Sequence, residues 1–390
     1  MSGRPTIKIN HLNGQLGRIT PTKDGVAGLI LSGTAVLGMA LTTPKQIFSL
    51  KGAEDLGMTA INNPFAYSEV ADFYKKAGTG AELWLMLIAD TTLLADVCNK
   101  NNNIARKLLD TADGTIRLLG INRKLPVGYT ISNTACVDTD ILQAKINLHE
   151  LITEYRIAHK PLRAILPHLG FDNTKTGALY NFRQDTHNTI GIISWSAYTT
   201  GQPAIAHALG KLTTIPVQRN LGRVKDGDEG VLNAYFPDGT PVKSLESQWD
   251  ALYDKGLIFL VKHYGRSGFF FVDDSTCAPL EDDYSQLSNG RTIDKAHVLA
   301  YNVLSNELLD EVEINDDGTL PASVTGYFQN EVENAIRAQM KNEISGVSAY
   351  VDPNQNVLST SALNLRIKVR PKGQLKDIEA DLSFDNPFNS

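Results

Sequence analysis

The sequence predicts a fold of mixed α/β and α+β type with more than one domain, and three observations carry that prediction. Apolar strand-like runs alternate with helix-like segments from residue 26 to about residue 270, the order expected of an α/β layer. Two long helical stretches follow, and the chain then ends in strictly alternating runs, an α+β pattern. With 390 residues, the chain is long enough for two or three cores. The change of pattern near residue 270 divides it into an N-terminal arm (1–24), an α/β domain (25–270) and a C-terminal domain (271–390).

In chain order, Thr6-Ile7-Lys8-Ile9 is a short alternating strand, set apart by a polar stretch that runs to Gly25. Residues 26–31 and 34–41 read as buried strands around Ser32-Gly33, and residues 45–50 as a further strand. Residues 53–57 make a helical turn closed by Gly57. Asn63-Pro64 opens a helix, with Asn as N-cap and Pro at the first position; Phe65, Val70, Phe73, Tyr74 and Ala77 form its buried stripe and Gly78 ends it. The apolar run 83–89 is a central strand. Helices at 92–100 and 104–109, a strand at 115–122, a helix at 142–158 and strands at 163–166 and 190–195 continue the alternation. A helix at 203–212 is stopped by Pro216. A helix at 244–254 leads into a hairpin of residues 257–262 and 269–272. The two long helices span 293–312 and 322–344, divided by Asn315-Asp-Asp-Gly318.

The last stretch has a period of two. Leu363, Leu365, Ile367 and Val369 face one way and Asn364, Arg366, Lys368 and Arg370 the other. Pro371-Lys-Gly373 breaks the run. A second run follows, with Ile378, Ala380, Leu382 and Phe384 on one face and Glu379, Asp381, Ser383 and Asp385 on the other. One wet face is basic and the other acidic, so the two are charge-complementary as cross-strand partners. An isolated hairpin is marginal in water. Either the chain's own core or a strand of another subunit completes this sheet.

Composition narrows the chemistry. Hydrophobic residues at 42% and charged residues at 21% are ordinary for a soluble globular protein. A net charge of −6 gives no support to nucleic-acid binding. Cys98, Cys136 and Cys277 form no CxxC pair, which argues against a disulfide framework or a zinc site and fits a reducing compartment. No apolar h-region opens the sequence and no apolar run is long enough to span a bilayer, so a protein soluble inside the cell is expected. The position four after His149 is Thr153, so His149-Glu150 is no zinc-protease motif. Gly78-Thr-Gly80 precedes a strand, not the helix a phosphate loop needs. Ser194 and Ser196 flank Trp195 without the glycines of a nucleophile elbow. Asp273, Asp274, Glu281, Asp282 and Asp283 are the best remaining cation candidates, but their spacing is not that of an EF-hand. His187 and His263 are isolated. The expectation is no catalytic, cofactor or metal site, and a role in structure or binding. A soluble α/β enzyme with an unrecognised site is the alternative.

Three stretches taken together resemble the sheath subunit of contractile phage tails and related contractile injection systems. The first is residues 36–90, where a glycine-bounded aromatic helix ending Phe73-Tyr-Lys-Lys-Ala-Gly78 feeds a strand. The second is Tyr284-Ser-Gln-Leu-Ser-Asn-Gly290-Arg291-Thr-Ile-Asp294-Lys295. The third is Ile367-Lys-Val-Arg-Pro371 with residues 378–387. The resemblance implies a multi-domain tail-sheath-like architecture with exchanged N- and C-terminal strands. It implies a structural subunit, not an enzyme, that polymerises helically around an inner tail tube and contracts to drive the tube through a target cell envelope. The implied partners are further copies, the tube protein, and baseplate and tail terminator proteins, with no nucleic acid, cofactor or membrane insertion. The implied location is the virion tail, assembled in the host cytoplasm. The strand-exchange residues would be Ile7, Ile9, Leu363, Leu365, Ile367, Val369, Ile378, Leu382 and Phe384. On the helix over 331–341, Arg337 and Lys341 would face the tube. Another structural virion or baseplate component is the alternative within this class.

Overall fold

The computed structural model describes residues 24–199 and 201–384, so the expected arm strand with Ile7 and Ile9 lies outside the described residues. The described residues open with β1 (Ala27–Ser32), β2 (Lys45–Ile47), α1 (Leu50–Asp55), α2 (Pro64–Ala77) and β3 (Leu83–Ile88). It continues through α3 (Leu94–Cys98), α4 (Ala105–Thr111) and β4 (Leu118–Asn122) to a small hairpin, β5 (Asn133–Thr134) and β6 (Val137–Asp138). Then come α5 (Thr139–Ile157), β7 (Arg163–Pro167), β8 (Ile190–Ile193), α6 (Ile205–Thr214), α7 (Trp249–Asp254), β9 (Leu257–Ile258) and a second hairpin, β10 (Leu260–Val261) and β11 (Phe270–Phe271). The last third holds α8 (Leu287–Leu304), α9 (Ala322–Met340), β12 (Ile344–Val351), α10 (Val357–Thr360) and β13 (Leu365–Pro371).

The first two thirds build a seven-stranded sheet in the order β2-β3-β1-β4-β7-β8-β9, parallel except for β2. Every residue of β1, β4, β7 and β8 is buried. Helices cover both faces of these strands, so their sequences run apolar without alternation. On one face α2 packs against α6, and on the other α4 meets α5, where Arg106 and Glu154 pair at 2.8 Å. One apolar core joins strands and helices from Val26 to Leu287. In the last third, α8 and α9 form a second core through Leu299, Val332, Ile336 and Met340. Over it lies a two-stranded antiparallel ribbon, β12 paired with β13.

Several local readings differ from expectation. Residues 34–41 turn and do not extend, apart from one bridge between Val36 and Met39. Asn63 does not cap α2 with its side chain. It clasps Thr34 instead, accepting from the Thr34 amide at 2.7 Å and donating to its carbonyl at 3.1 Å. Helix α8 begins six residues before the expected start, because the Asp274 carboxylate accepts from the Ser288 amide at 3.0 Å and caps it from a distant loop. The expected second long helix stops at Met340; residues 341–343 turn, and the last expected residue, Ile344, opens β12.

The two parts of the chain are joined by side chains of α8. Arg163, at the start of β7, grips Asp294 with two bonds of 2.6 and 2.8 Å and also donates to the Gly290 carbonyl at 3.2 Å. A Cβ at Gly290 would lie 2.4 Å from the guanidinium carbon, so a larger residue there would push the Arg163 head away from its grip on Asp294. Arg291 donates to the carbonyls of Leu212 and Ile215 at 2.9 and 3.1 Å, just where α6 ends. Lys295 pairs with Asp24 at 2.6 Å and Glu343 at 2.7 Å. The Arg291-Thr-Ile-Asp294-Lys295 stretch is therefore a clamp: three charged side chains on one helix hold α6, β7 and the segment entering β1.

Candidate assembly surface

The ribbon places the predicted C-terminal residues. Val369 stands opposite Val347, Ile367 opposite Ala349 and Leu365 opposite Val351. Leu365, Ile367 and Val369 pack half-buried onto the α8–α9 core, while Leu363 packs beside Phe328 and Val351. Arg366, Lys368 and Arg370 stand exposed on the other face, above Tyr350, Ser348 and Gly346. The alternation is as read, but the partner differs. β13 pairs with the upstream β12, not with residues 378–384, which form no strand. In this structure Leu365, Ile367 and Val369 lie in β13 and Leu363 just before it, and all four pack against the chain's own core.

Residues beyond Pro371 take a different course. Gln374 accepts from Asn220 and Gln286, both at 3.1 Å, and donates to the Ser288 hydroxyl at 3.0 Å. Lys376 donates to Asp273 at 2.8 Å and to the Tyr253 hydroxyl at 3.2 Å. Two side chains thus anchor the root of the C-terminal segment across the start of α8. Beyond the anchor, Ile378 is 81% exposed, Leu382 100% and Phe384 104%.

This anchor also accounts for the acidic loop. Asp273 and Asp274 are buried, and their ligands come from the chain itself. Asp273 accepts from Gln286 at 2.8 Å, from Asn220, and from the Lys376 ammonium. Burial acts to raise its carboxyl, but Lys376, Asn220 and the Asp274 amide outweigh it and hold the group below the usual carboxylate range. Burial and then the Asp273 charge push Asp274 up to about 7. Among the described residues, no group of three or more His, Cys, Asp or Glu side chains is arranged to hold a metal ion.

The crevice at which α/β sheets bind ligands lies beyond the carboxyl ends of β1 and β4, where the strand order reverses. Here the chain closes it. The Ser32 hydroxyl accepts from the Lys124 amide at 2.7 Å, Asn122 donates to the Pro203 carbonyl at 2.8 Å, and Gln202 donates to the Arg123 carbonyl at 2.8 Å. Glu69 of α2 accepts from the Ala206 amide at 3.0 Å, and burial pushes its carboxyl up to about 8. One pair that the sequence did not reveal has the atoms of a nucleophile and base. Ser194 Oγ lies 2.8 Å from His168 Nδ1, while His168 Nε2 lies 2.9 Å from the Cys136 carbonyl oxygen. Both side chains are fully buried, and burial pushes the imidazole down to about 4. The arrangement is a core hydrogen-bond bridge without access for a substrate. No local motif marks it, because its members meet only when β7 and β8 pair.

Arg337 lies on the exposed side of α9, opposite Val332, Ile336 and Met340, and Lys341 is exposed just past its end. Arg337 pairs with Glu333 at 3.1 Å. Among the described residues, no helix is long and apolar enough to cross a membrane.

The comparisons with known proteins agree with this architecture. A family model described as DUF2586, N-terminal domain, matches residues 4–275, and one described as DUF2586, C-terminal domain, matches residues 283–389. No curated protein matches the chain by sequence. The chain is similar in fold to the helical sheath of the anti-feeding prophage in its contracted state, with a TM-score of 0.65 at 12% identity, over 99% of this chain and 100% of that one. It is similar to the sheath of the extracellular contractile injection system PVC in its contracted state, with a TM-score of 0.57 at 12% identity, over 99% and 98%. The sheath tail protein of Listeria innocua aligns with a TM-score of 0.50 at 7% identity, over 89% and 95%. The mixed α/β fold expected from the sequence is thus the fold of contractile sheath subunits.

Proposed function

The chain belongs to the DUF2586 family, whose two domain models together span it almost end to end, and from that premise we propose that it is the structural subunit of a contractile sheath. It polymerises helically around an inner tube and contracts to drive the tube through a target envelope. What carries the reading is a juxtaposition within one sheath-like fold. A ribbon whose β13 edge pairs with no other strand among the described residues stands beside a C-terminal segment whose alternating apolar side chains, Ile378, Leu382 and Phe384, are exposed.

In this reading the segment after Pro371, and the N-terminal strand with Ile7 and Ile9, leave the subunit and add to ribbons of neighbouring copies. The exchanged strands gain ladder hydrogen bonds and bury their apolar faces, as in β-augmentation. Each copy gives strands and receives strands, so the contact is heterologous and propagates as a helix. The α/β domain, residues 25–270, faces outwards. Residues 271–390, joined by the arm 1–24, face the tube, and Arg337 and Lys341 make a polar contact with it. Baseplate and terminator proteins close the two ends of the polymer, and the assembled particle is a virion tail or a related injection device.

Electron microscopy of the purified chain tests the function. Helical tubes are expected, whereas monodisperse globules at high concentration would favour an enzyme. Removing the residues after Pro371 should leave a folded, soluble protein, checked by circular dichroism and gel filtration, that no longer forms long tubes. If that truncation unfolds the monomer and the full chain never polymerises, the reading fails.

A further inference from the structure

We propose that the two edges of the β12–β13 ribbon are unequal acceptors: β13's edge takes the C-terminal segment of a second copy, while Gln329 and Glu333 of α9 hold β12's edge shut until both side chains withdraw. This rests on the sheath reading and adds an order of assembly to it.

The amide of Ala349 donates to Glu333 Oε1 at 2.9 Å, and the amide of Val351 donates to Gln329 Oε1 at 2.9 Å. Backbone donors of β12 that an incoming strand would use are therefore already bonded within the subunit. The spacing makes this possible. Residues four apart on a helix rise about 6 Å, and residues two apart on a strand are separated by about 6.8 Å, so Gln329 and Glu333 match Val351 and Ala349 one to one. Arg337, one helical turn further on, holds the other Glu333 oxygen at 3.1 Å and steadies the carboxylate in place. A strand adding here must first displace two hydrogen bonds, which is how edges are protected from unwanted pairing.

The other edge has no such cover. No strand among the described residues pairs with the far side of β13. Its solvent face carries Arg366, Lys368 and Arg370, whereas the C-terminal segment alternates Glu379 and Asp381 with Ile378, Ala380 and Leu382. A strand laid beside β13 with its apolar residues inward sets these acids next to that basic row. The donor is a second copy. For the chain's own segment to return along β13, residues 372–377 would have to turn back, and the bonds of Gln374 and Lys376 to Ser288 and Asp273 oppose that turn.

The test titrates the full-length chain, at a concentration where light scattering shows a monomer, with a synthetic peptide of residues 376–390. Wild type should bind one peptide. The double variant Gln329→Ala, Glu333→Ala should bind two, and exchange of the Ala349 and Val351 amides should quicken roughly tenfold. Glu333→Gln keeps an acceptor oxygen and should bind one, which separates loss of the guard from loss of charge. Two peptides on wild type, equal stoichiometry in wild type and double variant, or no binding to either would overturn the proposal. Helical tubes formed by the same wild-type protein once it is concentrated above that monomeric range would leave the sheath reading standing in that event. Conversely, stoichiometries of one and two without any tubes would support unequal edges and sink the sheath.

Discussion

Glu69 sits where a carboxylate is costly. It is buried beside the start of α6, and burial pushes its carboxyl up from an ordinary 4.5 to about 8. The folded state therefore keeps a proton that the unfolded state has lost. Its contribution is full below about 4.5 and declines as pH rises towards 8. His168, pushed down from 6.5 to about 4, acts with the opposite sign, and stability gained through it rises between those values. Comparison with a variant isolates the acid: Glu69→Gln keeps the bond to Ala206 and should flatten the decline between pH 5 and 8 in urea melts. An unchanged slope would refute the assignment. Arg163 offers a second test. Arg163→Met strands Asp294 without its partner at a buried position and should cost about 3–5 kcal/mol in denaturant titrations. Arg163→Lys should recover only part, since an ammonium cannot reproduce the two-pronged grip.

At the scale of elements, the C-terminal segment is held by its root and free beyond it. Lys376→Ala removes the ammonium from Asp273 and should make residues 372–377 exchange amide hydrogens faster and yield to limited proteolysis, while β13 stays protected. Unchanged cleavage would mean that Gln374 alone holds the root. These elements also show what a sequence can disclose. The central strands were legible because helices on both faces make their apolar runs continuous. The ribbon strand β13 was legible because only one of its faces is covered, which forces strict alternation. β12 was hidden, since Ile344 to Val351 follows a strongly helical stretch without a Pro or Gly before it; its strand state is imposed by β13. The true start of α8 was hidden because its cap, Asp274, is remote in sequence. The charged triplet Arg291, Asp294 and Lys295 was visible as a pattern, but its clamping role needed the third dimension, because Arg163, Leu212 and Asp24 arrive from far along the chain. Residues 378–384 show the converse. Alternation records a capacity to pair, and the chain's own fold leaves that capacity unused.

For the whole molecule, the proposed links between copies are partly electrostatic, since an acidic segment meets a basic row. Charges on exposed strands are screened within about 10 Å at 0.1 M salt and about 3 Å at 1 M. Tube formation followed by light scattering should therefore slow as salt rises from 0.1 to 1 M, and Lys368→Glu with Arg370→Glu should slow it at low salt as well. A rate indifferent to both would leave apolar burial alone to drive the exchange. The clamp on α8 has a mechanical side. Lys295 fixes Asp24, where the arm enters, and Ser288 with Asp273 fixes the root of the C-terminal segment. In the proposed assembly both tethers would leave from one helix, at points seven residues or about 10 Å apart along its axis. A body suspended by links attached so close together can swivel through a wide angle while the links hardly change length. A lattice of such bodies behaves like chain mail, taut against stretching and compliant in torsion. The stroke of such a lattice would be carried by rotation of rigid subunits, with no need for any of them to deform.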